Sequence, residues 1–312
     1  MNGRVVTQEQ DKVLALVKEA VDLHTLPVVV LEADRLMRDQ RTSAQDIAKV
    51  ISRDIALAER VLRLANSAYY GFQRRIGNLT QAVVLLGFQT VRNLLLTVSV
   101  IDSFRPGSHD KFDYPAFWAH SVATAIIAGE VGRQGKFADA EEGYVAGLLH
   151  DVGTLLIAQH FPVVQHQIST RVANGECKLE AERAILGLDH SDVGSKLAVS
   201  WGLPQSVTAA IRDHHVPSGS MGNPTLSEIV QLSDCLAHAF GFGAPVEPLM
   251  AVCDDLSLRL GYDEARLASW IEACKVALDD AAEFFEFIGS KAAEVATADD
   301  SEPANITDES AL

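Results

Sequence analysis

Apolar residues recur at three- and four-residue intervals along nearly every long segment of this chain. Few stretches alternate β-branched and polar residues, so the pattern predicts an all-α protein without a sheet. Val13, Leu16, Val17, Ala20 and Val21 form one apolar stripe. Pro27 suits a helix start, and Ser43 with Asp46 three residues on has the form of a capping box. Asn78 before Leu79, with Gln81 at the third helical position and Gly87 after Leu86, brackets another short helix. These are packing helices.

The stretch from Ser103 to Pro115 is dense in turn formers and predicts a boundary between two helical units. Residues 1–105 then form an N-terminal helical bundle and residues 113–290 a second helical domain. Asp113 caps a helix with Phe117, His120, Thr124 and Ile127 on one face, and a second helix ends in His150-Asp151-Val152-Gly153. Asn174-Gly175 closes a third, and Asp189 precedes one that begins near His190. Gly202-Leu203-Pro204 starts the helix ending at His214-His215, and Asp234 sits within a later one, sharing a face with Val230 and Ala237.

With 312 residues, 48% hydrophobic and 22% charged, the chain can bury a large core. No basic start, apolar h-region and small-residue cleavage site open it, and its longest apolar run, Val91 to Ile101, is broken by Arg92 and Asn93. That run is too short to span a bilayer. Cys177, Cys235, Cys253 and Cys274 are far apart, which predicts reduced thiols and a cytoplasmic location. A net charge of −16 argues against nucleic acid or an anionic membrane as partner. Glu294, Asp299, Asp300, Glu302, Asp308 and Glu309 follow the last base, Lys291, without apolar periodicity, so residues 291–312 read as an acidic disordered tail.

An adjacent His150-Asp151 pair offers a metal ion two unlike ligands, and His120, His190, His214-His215 and Asp234 could complete the set. Imidazole with carboxylate suits Zn, Fe or Mn, and a carboxylate can bridge two ions, for which Asp151 is the natural candidate. Each residue taken singly has a plainer reading. A lone imidazole on an apolar face is commonly a core histidine, and paired imidazoles at a helix C-terminus complement its dipole. Asp234 among Val and Ala needs a partner. The weight lies in the ensemble. His24, His109, His160, His166 and His238 have no comparable company and read as surface or core residues. Arg53, Arg60, Arg63, Arg74 and Arg75 read as a solvated basic face rather than an anion site. No Gly-rich phosphate loop, GxSxG or CxxC is present.

From about Leu26 to about Phe240 the chain resembles the HDOD family, a branch of the HD superfamily of all-helical metal-binding domains. Leu26-Pro27, Ile51-Ser52-Arg53-Asp54, the run from Leu62 through Leu64-Ala65-Asn66-Ser67-Ala68 to Gly71, and Ala82 to Gly87 carry the resemblance in the first half. Gly147 to Gly153, Asp189 to Gly194, Trp201 to Pro204 and Ile211 to His215 carry it in the second, which is therefore expected to be an HD-like metal-binding domain. The resemblance implies a superfamily metal set of His120, His150, Asp151 and Asp234. His190, His214 and His215 match the additional histidines of the related HD-GYP phosphodiesterases. It also implies one or two divalent ions, from Fe, Mn, Zn, Ni or Mg.

The departures bear on chemistry. Where HD-GYP enzymes have Lys after His-Asp-x-Gly this chain has Thr154, the Gly-Tyr-Pro loop is replaced by residues 216–220, and Ala116 stands where some relatives place a further carboxylate. Cyclic-dinucleotide hydrolysis is disfavoured. Two functions follow from the resemblance: a bacterial signal-transduction module acting on a protein partner in trans, or a metal-dependent phosphohydrolase or nucleotide phosphodiesterase taking a nucleotide or phosphoester. In the second, Asp151 bridges an ion held by His120, His150 and Asp234 and another held by His190, His214 and His215, with Thr154 touching substrate.

Overall fold

The computed structural model describes residues 8–104, 112–135, 140–216, 225–243 and 264–299, and among them every regular element is helical. The first half contains α1 (Gln8–Leu23), α2 (Val28–Met37), α3 (Ala44–Ile51), α4 (Ile55–Ala65) and α5 (Leu79–Ser103). Local chemistry sets their ends. Ser43 and Asp46 form a reciprocal capping box on α3, and the Asn78 side chain accepts the Gln81 amide on α5. Gly87 does not end its helix as expected. Its φ of 84° and ψ of 168° kink α5, which then resumes to Ser103.

By length and composition α5 could cross a membrane, yet 56% of its most apolar window is buried, with α2, α3 and α4 packed against it. Its polar interruption is satisfied inside the fold: Arg92 pairs with Asp34, and Asn93 Nδ2 donates to Glu141 at 2.6 Å. After α4, Asn66 acts as a clamp. Its Nδ2 donates to the carbonyls of Leu62 (2.7 Å) and Ile76 (3.1 Å), and its Oδ1 accepts the Ile76 amide at 2.7 Å. Leu64 and Ala65 beside it are fully buried. The most family-specific run is thus packing and loop closure. Among the arginines, Arg53 pairs with Glu32, Arg60 with Asp102 and Arg63 with Glu286.

The second half runs through α6 (Tyr114–Gly135), α7 (Ala140–Leu149), α8 (Val152–His160), α9 (Pro162–Ala173), α10 (Lys178–Leu186), α11 (His190–Ser200), α12 (Gln205–Asp213), α13 (Leu226–Ala239), α14 (Glu264–Asp280) and α15 (Ala282–Asp299). Asp113 caps α6 by accepting the Ala116 amide at 2.9 Å. α6 is the axis, with α7, α13, α14 and α15 packed around it. It meets α7 closely because Gly147 has no side chain: a Cβ there would lie 2.8 Å from the Thr124 carbonyl oxygen.

Among the described residues, one hydrophobic core includes side chains from Val17 to Ile288. α1 packs on α8 and α11, and α5 on α7. The expected boundary falls largely on residues 105–111, outside the described residues. α15 continues to Asp299, so the backbone is helical over the first part of the stretch read as a disordered tail, and residues 300–312 lie outside the described set. Cys177, Cys235 and Cys274 form no disulfide among the described residues, and Cys253 is not one of them.

Candidate metal centre

Five parts of the second half bring imidazoles and carboxylates to one place. His120 comes from α6, His150 and Asp151 form the two-residue corner between α7 and α8, and His190 is the first residue of α11. His214 and His215 follow α12, and Asp234 lies on α13. The sequence placed Gly153 at a helix end. Instead it lies in the first turn of α8, where α8 meets α11 so closely that a Cβ would sit 2.0 Å from the His190 carbonyl oxygen. Asp189 fixes the start of α11 through a capping box with Asp192.

All seven expected metal ligands converge. Asp151 Oδ1 lies 2.8 Å from His190 Nε2, 3.7 Å from His214 Nε2 and 3.9 Å from His150 Nε2. Asp234 Oδ1 lies 3.2 Å from His120 Nε2 and 3.8 Å from His150 Nε2. His120 and His150 approach Nε2 to Nε2 at 3.3 Å, and His190 and His215 at 3.0 Å. Three donor sets, each within 4.8 Å, result: Asp151 with His190, His214 and His215; His120 with His150 and Asp151; and His120 with Asp234 and His238.

The rings are held so that Nε2 faces inward. His120 Nδ1 is 3.0 Å from the Phe242 carbonyl, His150 Nδ1 is 2.8 Å from that of Gly147, and His214 Nδ1 is 2.8 Å from that of Ile211. His190 Nδ1 is 2.7 Å from Glu182 Oε2. Such partners on the remote nitrogen fix tautomer and orientation, as they do for metal-binding histidines. His214 Nε2 is buried and makes no hydrogen bond among the described residues. An unpartnered imidazole nitrogen facing carboxylate is costly as a core feature and apt as a ligand, so these residues fit a divalent ion.

Charge follows burial and company. Burial pushes His150 down to about 4, and burial with the neighbouring His214 pushes His215 to about 3, so both are neutral near pH 7. Burial also opposes charge on His190, but Asp151 and Glu182 outweigh it and raise the ring to about 9. Burial disfavours the Asp151 carboxylate, yet Lys178, His190 and His150 hold it well below the usual range. Asp234 is likewise held low against burial, by hydrogen bonds from His120 and His238.

Three members of the site were missed in the sequence. His238, read as a surface or core residue, lies 3.3 Å from Asp234 Oδ1. Its signal was the four-residue spacing from Asp234 on one helix. Lys178 and Glu182 arrive on α10 and had no local signal. Thr154 lies in the first turn of α8, buried, with its amide donating to the Asp151 carbonyl at 2.8 Å. Its hydroxyl makes no hydrogen bond among the described residues.

Known proteins agree with this architecture. The model of the HDOD domain family matches residues 23–217. A crystal structure from Shewanella amazonensis SB2B, provisionally named a phosphohydrolase, is 26% identical with a TM-score of 0.72, covering 88% of this chain and 98% of that one. An HDOD domain protein of unknown function from Geobacter sulfurreducens is also 26% identical, with a TM-score of 0.67 over 93% of this chain and 98% of that one. An uncharacterised protein of Treponema pallidum (strain Nichols) is 26% identical over 216 residues, covering 69% of this chain. The match spans 42% of that protein, less than half its length. With its family match extending over more than half of its length and the helical architecture in place, the chain belongs to the HDOD domain family.

Proposed function

We propose that this chain is a regulatory module of bacterial signal transduction, in which helices around a divalent-metal centre pass its occupancy to a protein partner in the cytoplasm. One observation carries the reading: the helices that supply ligands also hold the upstream half. α7, which leads into His150, packs on α5, while α8, which follows Asp151, and α11, which begins at His190, pack on α1. A change at the ligands therefore reaches the upstream half through direct helix contacts, and that half contributes none of the donor atoms. His120, His150, Asp151 and Asp234 would hold one ion, and His190, His214 and His215 with Asp151 a second.

A second reading is favoured by the shared carboxylate, because two donor sets meeting at Asp151 suit a metal-dependent phosphohydrolase. When bound, such ions lower the pKa of water and offset charge on a phosphoryl group. The protein's own residues orient and neutralise: Asp151 and Asp234 supply negative charge, and the Nδ1 partners keep the imidazoles aimed. Elemental analysis of the purified chain is paired with turnover assays on a generic phosphodiester and on cyclic dinucleotides, with Mn, Fe or Ni added. Stoichiometric metal without turnover supports the module. Turnover lost in Asp151→Ala supports the enzyme, and unchanged metal content in His150→Ala refutes the ligand assignment common to both.

A further inference from the structure

Lys178 opens α10 and reaches across to the one carboxylate that both halves of the ligand set share. Its Nζ lies 3.1 Å from Asp151 Oδ2, while Asp151 Oδ1 faces the imidazole of His190 at 2.8 Å. The two oxygens are therefore divided between an ammonium and the histidines. A carboxylate that binds two ions through separate oxygens needs both, so the ammonium competes with a second ion for Oδ2.

The charge balance points the same way. Asp151, Asp234 and Glu182 are three carboxylates in contact with the ligand imidazoles, and Lys178 supplies one positive charge against them. With the imidazoles neutral, as ion binding requires, one divalent ion offsets the remainder. A second would leave excess positive charge among His150, His190 and His214, each 1% exposed or less, where screening by water and salt is weak. The Lys178 side chain itself is 37% exposed, so its stem has solvent into which to withdraw.

We propose that Lys178 holds the resting centre at one divalent ion, and that a second ion binds only when the ammonium releases Asp151 Oδ2. The inference rests on the metal-centre reading above. Lysine here is a positioning residue acting through Asp151.

The test is calorimetric titration of the metal-stripped full chain with Mn(II), with bound metal counted by elemental analysis, for wild type, Lys178→Met, Lys178→Gln and Lys178→Arg. Circular dichroism melting identifies the folded variants. Wild type and Lys178→Arg should bind one ion tightly. Lys178→Met and Lys178→Gln should bind the second about tenfold more tightly than wild type, a factor equivalent to about 1.4 kcal/mol. Two equally tight ions in wild type, or an unchanged second-ion affinity in the neutral variants, overturns the proposal. If no variant and no wild-type preparation binds metal, the metal-centre reading falls, and this proposal with it.

Discussion

Gly153→Ala places a methyl group at the tightest helix crossing beside the site. In an open helical position glycine to alanine stabilises by about 0.5–1 kcal/mol, because alanine loses less backbone entropy. Gly289 on α15 is such a position, since a Cβ there meets nothing within 4 Å. At Gly153 the added Cβ would lie 2.0 Å from the His190 carbonyl oxygen and 2.7 Å from the Gly194 amide nitrogen, both backbone atoms that cannot rotate away. Reaching an ordinary contact of 3.4 Å requires α8 and α11 to part by about 1.4 Å. Overpacking of this kind costs about 1–3 kcal/mol, which outweighs the propensity gain. His190 would move with its helix, away from Asp151 at 2.8 Å and His215 at 3.0 Å. Metal affinity should fall about 10–100-fold, the usual effect of disturbing what orients a ligand. Urea denaturation of Gly153→Ala beside Gly289→Ala, followed by competitive Mn(II) titration, measures both effects. If Gly153→Ala is as stable as wild type or more so, as expected of Gly289→Ala, the argument from close helix approach is refuted.

Two further outcomes follow from the packing. Asn66→Ala should destabilise the chain by about 1–3 kcal/mol, because the Ile76 amide and the Leu62 and Ile76 carbonyls lose their shared partner. Urea denaturation reads this, and a change under 0.5 kcal/mol would show that the clamp is dispensable. Iodoacetamide at pH 8 should modify Cys177, which is exposed, and spare Cys274, whose thiol is pushed up to about 12 by burial. At that pH only about one Cys274 in ten thousand is thiolate; peptide mass mapping that finds equal labelling would contradict this burial.

The fold was legible where chemistry is local. Ser43, Asn78, Asp113 and Asp189 cap the helices they were expected to cap, because a capping side chain bonds an amide two or three residues away. The apolar period also identified the helices. It could not show that α6 is an axis: Ser121 to Val131 is buried on every side, so the single face drawn through His120, Thr124 and Ile127 was only part of what packs. Gly87 and Gly153 were both read as helix ends. At Gly87 the backbone does leave helical geometry, but α5 resumes because Val91 to Ile101 have core to fill. At Gly153 the reason for glycine lies on another helix, at His190, which no local pattern reports.

The same distinction separates the candidate ligands from what governs them. His120, His150, Asp151, His190, His214, His215 and Asp234 could be chosen by residue type, since few side chains bind divalent ions and these stand near helix ends or among apolar neighbours that cannot satisfy them. Their protonation could not be read that way. His190 is raised to about 9 while His215, 3.0 Å from it, is pushed to about 3: burial lowers both, but Asp151 and Glu182 outweigh it at His190, whereas neighbouring imidazoles add to it at His215. Glu182 is eight residues from His190, and Lys178 is 27 residues from Asp151. Both reach the site because α10 folds back beside it, so residue type alone does not point to them. A site predicted from ligand types alone therefore identifies a candidate metal centre, while the charge around it is set by the ammonium and carboxylate that tertiary packing adds.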